Sequence, residues 1–308
     1  MLTWLQLMRL PTVFTALADV LCGFLLASVV ANNDTVGWQV LPWLLLCSAG
    51  LYLSGMVFND VFDAQLDSVE RPERPIPSGR VTKRSAVILG TFLMGTGFVA
   101  SLLARSTGES AGQAPLVAAL IAGAVLLYDA VLKSTWLGPF SMAGCRFLNL
   151  ALGASSTLAE SGTTAAWQQP AIGAAAALGV YIVGVTWFAR NEAGNASIRG
   201  LQGGLLVACG GVGLSAALML RFQSDRTIQF IAAMQFALIL GFTLRRGWLA
   251  IQDGSSPVLQ RTVGKMLLWI IVLDAVAVFT ITSNPLYEIL ILLLAFPAIQ
   301  LRKRIAMS

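Results

Sequence analysis

Apolar runs of about 20 residues recur along the whole chain and are separated by short polar segments. Each run predicts a membrane-spanning helix, because a helix needs about 20 apolar residues to cross a hydrocarbon layer roughly 30 Å thick. We expect nine spans, or ten if the last run, which Pro297 interrupts, is a full span and not a half-buried helix. The predicted spans lie near residues 10–31, 39–58, 86–104, 114–132, 136–157, 170–189, 200–220, 227–244, 263–282 and 286–301. The pattern therefore predicts an all-α polytopic membrane protein.

Composition agrees with a membrane location and narrows the chemistry. The chain is 56% hydrophobic and 11% charged, whereas a soluble domain carries about 25% charged residues. It contains no histidine, which excludes histidine metal ligands and Ser-His-Asp triads. The four cysteines lie inside apolar runs without a CxxC pair, so we expect buried thiols and neither disulfides nor a thiolate metal site.

Basic residues concentrate in the polar segments that lie on the same side of the predicted spans as the N-terminus. The segments on the other side contain only Arg105, Arg221 and Arg226. Because positively charged loops stay in the cytoplasm, this asymmetry predicts a multi-pass protein of the plasma (inner) membrane with a cytoplasmic N-terminus. Topology thus explains the net charge of +5, and we expect a lipid bilayer and no nucleic acid as a partner.

The second apolar run ends in the polar sequence NDVFDAQLDSVERPERPIPSGRVT, residues 59–82. The i+3 and i+4 spacings place Asp60, Asp63 and Asp67 on one face of a helix, with the amide of Asn59 beside them. Three stacked carboxylates repel one another unless a cation lies among them. Carboxylate and amide oxygens are the ligands that Mg²⁺ prefers, together with waters and substrate phosphates. The stripe therefore predicts a Mg²⁺ site at the inner membrane surface.

Arginines and prolines follow the acidic stripe directly. Guanidinium groups bind phosphate oxygens in a bidentate manner, which suits Arg71 and Arg74 to a diphosphate. Three prolines in residues 72–77 stiffen the loop. Asp67 could bind the metal through water or orient one of the arginines. The alternative is that these carboxylates solvate a helix end and balance nearby arginines.

The whole string resembles the first signature of the UbiA superfamily of intramembrane prenyltransferases, NDxxDxxxD followed by RxxRPxPSG. The chain matches it at Asn59, Asp60, Asp63, Asp67, Arg71, Arg74, Pro75, Pro77, Ser78 and Gly79. The segments RLPTVFTALADVLCGFLLA and LLYDAVLKSTWLGPFSMAGCRFLNLALGAS resemble the first, fourth and fifth helices of the family. The segments YDAVLK, CRFLNLALGAS and TWFARNEAG are most similar to the EboC-like branch of the superfamily.

The resemblance implies one UbiA-like domain over residues 1–308, a helical bundle around a central cavity. It implies Mg²⁺-dependent transfer of a prenyl group from a prenyl diphosphate to a lipid-soluble acceptor. Asp60, Asp63 and Lys133 would be catalytic, and Tyr128 would bind substrate near the inner end of the fourth span. Lys133 could add positive charge to the departing diphosphate, or it is an interfacial lysine with no role in the reaction.

The chain departs from the family where a second DxxxD motif is expected, after the sixth span. The sequence there is FARNEAGNASIRG, with the single carboxylate of Glu192. Three interpretations remain open. Glu192 and Asn195 hold one metal ion, or Arg190 replaces a metal as a fixed positive charge, or the second site has been lost together with transferase chemistry. The last would favour a non-catalytic transporter or scaffold for a hydrophobic metabolite.

Three ionisable residues lie deep within predicted spans, namely Asp19, Arg146 and Asp274. Charges at mid-membrane depth are costly and usually face one another or a cavity. We expect Arg146 to pair with Asp19 or Asp274, with Asn149 one turn away. The pair is either purely structural or a polar contact for the head group of the acceptor.

Overall fold

The structure, a computed structural model, describes residues 2–30, 37–107, 113–155, 169–190 and 197–304. Within these ranges the regular elements are α-helices with short 3₁₀ turns and no strand, so the all-α prediction is confirmed. The α-helices are α1 (Leu2–Leu7), α2 (Val13–Val30), α3 (Leu41–Glu70), α4 (Lys83–Thr107), α5 (Ala114–Ala130), α6 (Gly138–Ala154), α7 (Pro170–Arg190), α8 (Ile198–Phe222), α9 (Arg226–Asp253), α10 (Ser256–Thr282), α11 (Pro285–Leu292) and α12 (Ala295–Arg304).

Eight helical stretches of the described chain are long and apolar enough to cross a membrane. The helices α5 and α6 are shorter, at 17 residues each, which is near the lower limit for a span. The last apolar run is divided between α11 and α12 at Leu293 and Leu294. The proline ring of Pro297 would clash with the carbonyl four residues earlier, that of Leu293, which explains the position of the break.

The helix α2 is the centre of the bundle and contacts α3, α6, α7 and α10. Its closest neighbour is α6, because two glycines remove side chains where the backbones cross. A Cβ atom on Gly153 would lie 2.9 Å from the amide nitrogen of Phe24, and one on Gly23 would lie 3.1 Å from that of Ala154. This close crossing places the polar residues of α6 against α2.

The helix α3 carries the acidic stripe on its last turns. Its 30 residues correspond to about 45 Å, which is longer than a hydrocarbon layer of roughly 30 Å. The loop after Glu70 folds back along the helix end, and Val81 is buried with Leu7, Val57 and Val61. The stripe and the loop thus form one packed unit at the inner end of the bundle.

Large apolar side chains cover much of the outer surface of the bundle. Phe92 on α4 is 69% exposed, and Leu206 on α8 is 73% exposed. Such surface would cause aggregation in water but is the expected contact surface for lipid tails. The charged residues of α3 and of the loop after it lie at one end of the bundle, and the exposed apolar side chains lie along its sides.

Candidate active site

A cavity of about 210 Å³ opens among α3, α5 and α6, next to Arg9 in the segment before α2. Most of its wall is apolar, with Leu51, Met56, Ile121, Val125 and Met142 among the lining residues. Polar side chains occur at two levels. The inner end carries Arg9, Asn59, Tyr128 and Asp129, and the deeper part carries Arg146 and Asn149.

Two short contacts connect α3 to the end of α5 at the inner end of the cavity. The Asn59 amide nitrogen donates to Asp129 Oδ1 at 3.0 Å. The Lys133 ammonium donates to Asp63 Oδ1 at 2.5 Å, and both side chains are about one fifth exposed. Lys133 lies on the 3₁₀ turn Leu132–Ser134 that follows α5, close enough for its charge to act on Asp129 as well.

The other two carboxylates of the stripe are paired with arginines. Arg74 Nη1 lies 2.7 Å from Asp67 Oδ2 and 3.6 Å from Asp60 Oδ1. Arg9 Nη2 donates to the same Asp60 oxygen at 3.0 Å. Asp60, Asp67 and Arg74 are each about 5% exposed or less. The loop is therefore held to the helix by ion pairs with little access to water.

The backbone of Arg9 is in the left-handed region, with φ 46° and ψ 46°. Residues other than glycine rarely adopt this conformation, and it is concentrated at functional sites. The kink turns the chain between α1 and the start of α2, and it directs the guanidinium to Asp60 and to the cavity.

These contacts divide the predicted metal ligands into two groups. Asn59 lines the cavity. Asp63 does not line it, but it is paired with Lys133 and lies close to Asp129, which does. Asp60 and Asp67 do not line the cavity, and their role as metal ligands stays a prediction that would require their ion pairs to open. Arg74 is engaged by carboxylates, as expected if Asp67 orients an arginine, and Arg71 lies half-buried at the end of α3. Phosphate binding by either arginine likewise stays a prediction.

The donor groups at and beside the inner end of the cavity are of the kind that binds a hard cation. Among the described residues, no group of three or more Asp, Glu, Cys or His side chains could hold a metal ion by itself. The Asp63 and Asp129 carboxylates and the free amide oxygen of Asn59 supply a smaller set. Mg²⁺ usually binds through one or two carboxylates and completes its shell with waters and substrate phosphates, so this set is sufficient for it.

The region of the missing second motif is only partly described. Arg190, the last residue of α7, donates from Nη1 to the Thr135 carbonyl oxygen at 2.5 Å. It lies near Tyr128 but lines a different pocket, with Trp136, Phe140 and other residues. Glu192 and Asn195 lie outside the described residues, so their predicted roles stay predictions.

Sequence reasoning did not assign two residues of this site, Arg9 and Asp129. Asp129 follows Tyr128 at the inner end of an otherwise apolar helix, and a carboxylate in that position was a usable signal. Arg9 comes directly before the first span, where a basic residue by itself indicates only topology. Its contact with Asp60 depends on the left-handed kink, which the sequence does not indicate.

The predicted ion pair deep in the bundle is present. Arg146 Nη1 donates to Asp19 Oδ2 at 2.8 Å, and Asn149 Nδ2 donates to the same oxygen at 3.0 Å. Asp274 lies against Asp19. The pair joins α6 to α2 at the deeper part of the cavity.

Comparison with known proteins decides the family. Residues 20–251 match the UbiA prenyltransferase family. The chain belongs to the UbiA prenyltransferase family. This confirms the family resemblance of the acidic stripe and of the helices around it. It also makes this UbiA family member a multi-pass membrane protein, in agreement with its apolar helices.

Curated relatives of this UbiA family member include two named digeranylgeranylglyceryl phosphate synthase. The protein of Methanoregula boonei is 40% identical over 112 residues, which cover 36% of this chain and 38% of the relative. That of Methanothrix thermoacetophila is 35% identical over 106 residues, which cover 34% and 38%. The match therefore spans less than half of the length of either relative.

Solved structures of UbiA proteins share the fold. A structure of digeranylgeranylglyceryl phosphate synthase has a TM-score of 0.63 at 18% identity, and the match covers 91% of this chain and 98% of that one. A UbiA homologue from Archaeoglobus fulgidus bound to DMAPP and Mg²⁺ has a TM-score of 0.58 at 16% identity, covering 91% and 99%. The UbiA-like bundle expected from the sequence is thereby confirmed.

Proposed function

We propose that this UbiA family member transfers a prenyl group from a prenyl diphosphate to a lipid-soluble acceptor. The reaction would require Mg²⁺ and would take place at the cytoplasmic side of the inner membrane. One observation carries the proposal: carboxylate, amide and ammonium groups of α3 and the end of α5 meet at the inner end of an apolar cavity. The charged inner end suits the binding of a diphosphate, and the apolar wall suits the binding of a prenyl chain.

Asn59, Asp63 and Asp129 would hold the metal ion. When bound, Mg²⁺ neutralises charge that develops on the leaving diphosphate. Lys133 supplies a further fixed positive charge within reach of Asp63, and it would bind a diphosphate oxygen in exchange for that carboxylate. Tyr128 and Arg9 line the same end and would donate hydrogen bonds to the substrate.

The apolar wall would protect the reaction from water. Loss of diphosphate leaves an allylic carbocation, which water would trap. The lining side chains there are apolar and offer water no strong hydrogen-bond partner beside the reacting carbon, among them Leu51, Ile121, Val125 and Met142. At about 210 Å³ the cavity is smaller than typical ligand pockets, so a long prenyl chain would extend between the helices towards lipid.

The comparisons support this assignment at the level of substrate class. Archaeoglobus fulgidus UbiA homologues were solved with DMAPP and Mg²⁺ and with GPP and Mg²⁺. Several curated relatives are synthases of a prenylated glyceryl phosphate. For this chain we propose the prenyl diphosphate and Mg²⁺, while membership of the EboC-like branch and one domain over residues 1–308 stay predictions.

Release of diphosphate tests the proposal. Purified protein is incubated with radiolabelled prenyl diphosphates of several chain lengths, with Mg²⁺ or with a chelator. We expect Mg²⁺-dependent release that falls by about 100-fold or more in Asp63→Asn. Glu70→Gln is the matched control, because Glu70 is an exposed carboxylate on the same helix. Equal release by Asp63→Asn and by the wild type would overturn the proposed site.

A transporter or scaffold is the second candidate. It is favoured by the sequence between Arg190 and Arg199, where Glu192 is the single carboxylate in place of a second acidic motif. This candidate predicts Mg²⁺-dependent binding of prenyl diphosphate without release of diphosphate. The same assay with a filter-binding readout therefore separates the two functions.

A further inference from the structure

The deeper part of the cavity contains a polar cluster that the diphosphate site does not use. Arg146 and Asn149 lie one turn apart on α6 and both line the cavity, as does Tyr52 on α3. Arg146 lies eight residues beyond Gly138, where α6 begins, which corresponds to about 12 Å along the helix. Lys133 and the Asp63 carboxylate lie at the inner end, before α6 begins. The two polar regions are therefore separated along the axis of the cavity.

The positive charge of Arg146 is balanced within the protein. Its Nη1 atom donates to Asp19, which is 0% exposed, and its Nη2 atom donates to Thr15 Oγ1 at 2.7 Å. The carboxyl group of Asp274, which is 3% exposed, lies against Asp19. With Asp274 protonated the three ionisable groups sum to zero, and with Asp274 ionised they sum to a negative charge. In neither state does the cluster offer net positive charge to a ligand.

Arg146 lines the cavity and nevertheless keeps hydrogen-bond donors that no group in the described part of the chain uses. A guanidinium group has five N–H bonds, and the contacts with Asp19 and Thr15 use two of them. The Tyr52 ring lies 5.3 Å from the Arg146 Cζ atom and covers one face of the guanidinium. The Asn149 amide oxygen already accepts from the Ser48 hydroxyl at 2.7 Å, and Arg146 is the charged donor of the cluster.

We propose that this deep cluster binds the uncharged, oxygen-bearing head group of the acceptor, a hydroxyl or a carbonyl, through the free N–H bonds of Arg146. The inference rests on the proposed function and names the class of acceptor. A neutral oxygen gains a charge-assisted hydrogen bond in a site with little water. A phosphate or carboxylate would also have to give up its hydration beside Asp19 and Asp274, without net positive charge in return.

Equilibrium binding tests the head-group preference directly. A radiolabelled long-chain primary alcohol is bound to the protein in lipid nanodiscs, without Mg²⁺ or prenyl diphosphate, and is competed with the alkyl phosphate of the same chain length. We expect the unlabelled alcohol to compete at least about 10-fold better than the phosphate. Equal or better competition by the phosphate would overturn the proposal. Because no diphosphate is present, this result does not depend on whether the protein is an enzyme.

Substitutions of the arginine test its part in binding. Arg146→Lys keeps a positive charge for Asp19 but loses the planar fork, and we expect the dissociation constant of the alcohol to rise about 10-fold. Arg261→Lys, an exposed arginine on α10, is the matched control and should not change it. If Arg146→Lys does not fold, the double variant Asp19→Asn with Arg146→Gln removes both charges together and should show the same loss. Unchanged alcohol binding in a folded variant would show that the ion pair is purely structural.

Discussion

Asp63 and Asp129 approach the cavity from different helices, and each is held by a different neighbour. Asp63 is paired with Lys133, and Asp129 accepts from Asn59. Asp129 is 3% exposed, which is uncommon for a carboxylate unless it is paired or binds a cation. In a chain with a reduced second acidic motif, Asp129 would supply part of the negative charge that a metal ion requires.

The variant Asp129→Asn tests that role. Its amide oxygen can still accept from Asn59, so we expect the protein to fold, while the loss of charge weakens metal binding. The Mg²⁺ concentration for half-maximal diphosphate release should rise on the order of 10-fold. Asp253→Asn, an exposed carboxylate at the end of α9, is the control. An unchanged Mg²⁺ dependence in Asp129→Asn would show that Asp129 does not bind the metal ion.

Arg74 has a structural role that can be measured separately from activity. The variant Arg74→Met leaves Asp67 buried without its partner and leaves Asp60 with Arg9 alone. Removing one member of a buried ion pair costs about 3–5 kcal/mol, so we expect the thermal midpoint in detergent to fall by several degrees. Arg71→Met, at a half-buried position three residues earlier, should change it far less. Equal thermal midpoints for both variants would show that the ion pairs of Arg74 with Asp67 and Asp60 do not stabilise the protein.

At the scale of helices, the crossing of α2 and α6 determines where the deep polar cluster forms. Arg146 reaches Asp19 because the backbones approach closely at Gly23 and Gly153. Small residues at such crossings are a common means of packing membrane helices. The ion pair is therefore a consequence of the glycine contact about two turns further along α6.

Valine substitutions on α6 test the crossing. In Gly153→Val the Cβ atom would lie 2.8 Å from the Val20 carbonyl carbon, so the helices must separate. In Gly144→Val, on the same helix, the Cβ atom would meet nothing within 4 Å. Both variants make the same change in helix propensity, so the difference between them reports packing. We expect Gly153→Val to lose most folded protein in size-exclusion chromatography, and similar yields of the two would contradict the tight crossing.

The sequence alone predicts the helices, but it does not predict which charged side chains form ion pairs. Hydropathy located the apolar helices because each must satisfy its backbone hydrogen bonds within a single segment of the chain. The motif of residues 59–82 located the site. The preference of Arg74 for Asp67, and of Lys133 for Asp63, depends on how the loop folds back and where the 3₁₀ turn ends. Those are three-dimensional relations that spacing along one helix does not determine.

At the scale of the whole molecule, the proposed reaction depends on the orientation of the bundle. The acidic stripe, Arg9 and Lys133 lie at the same end, and water-soluble Mg²⁺ and prenyl diphosphate must reach that end. The distribution of basic residues predicts that it faces the cytoplasm. The helix α9 offers a direct test, since its 28 residues correspond to about 42 Å and connect opposite ends of the bundle.

Serine-to-cysteine variants at the two ends of α9 should label from opposite sides of the membrane. Ser224 precedes α9 at the predicted outer end, Ser255 follows it at the inner end, and both are exposed. In intact spheroplasts, a membrane-impermeant maleimide should label Ser224→Cys at once and Ser255→Cys only after permeabilisation. The wild type gives the background from its four native cysteines, of which Cys22 and Cys47 are buried. The reverse pattern would place the acidic stripe outside the cell, away from the cytoplasmic supply of prenyl diphosphate that the proposed reaction requires.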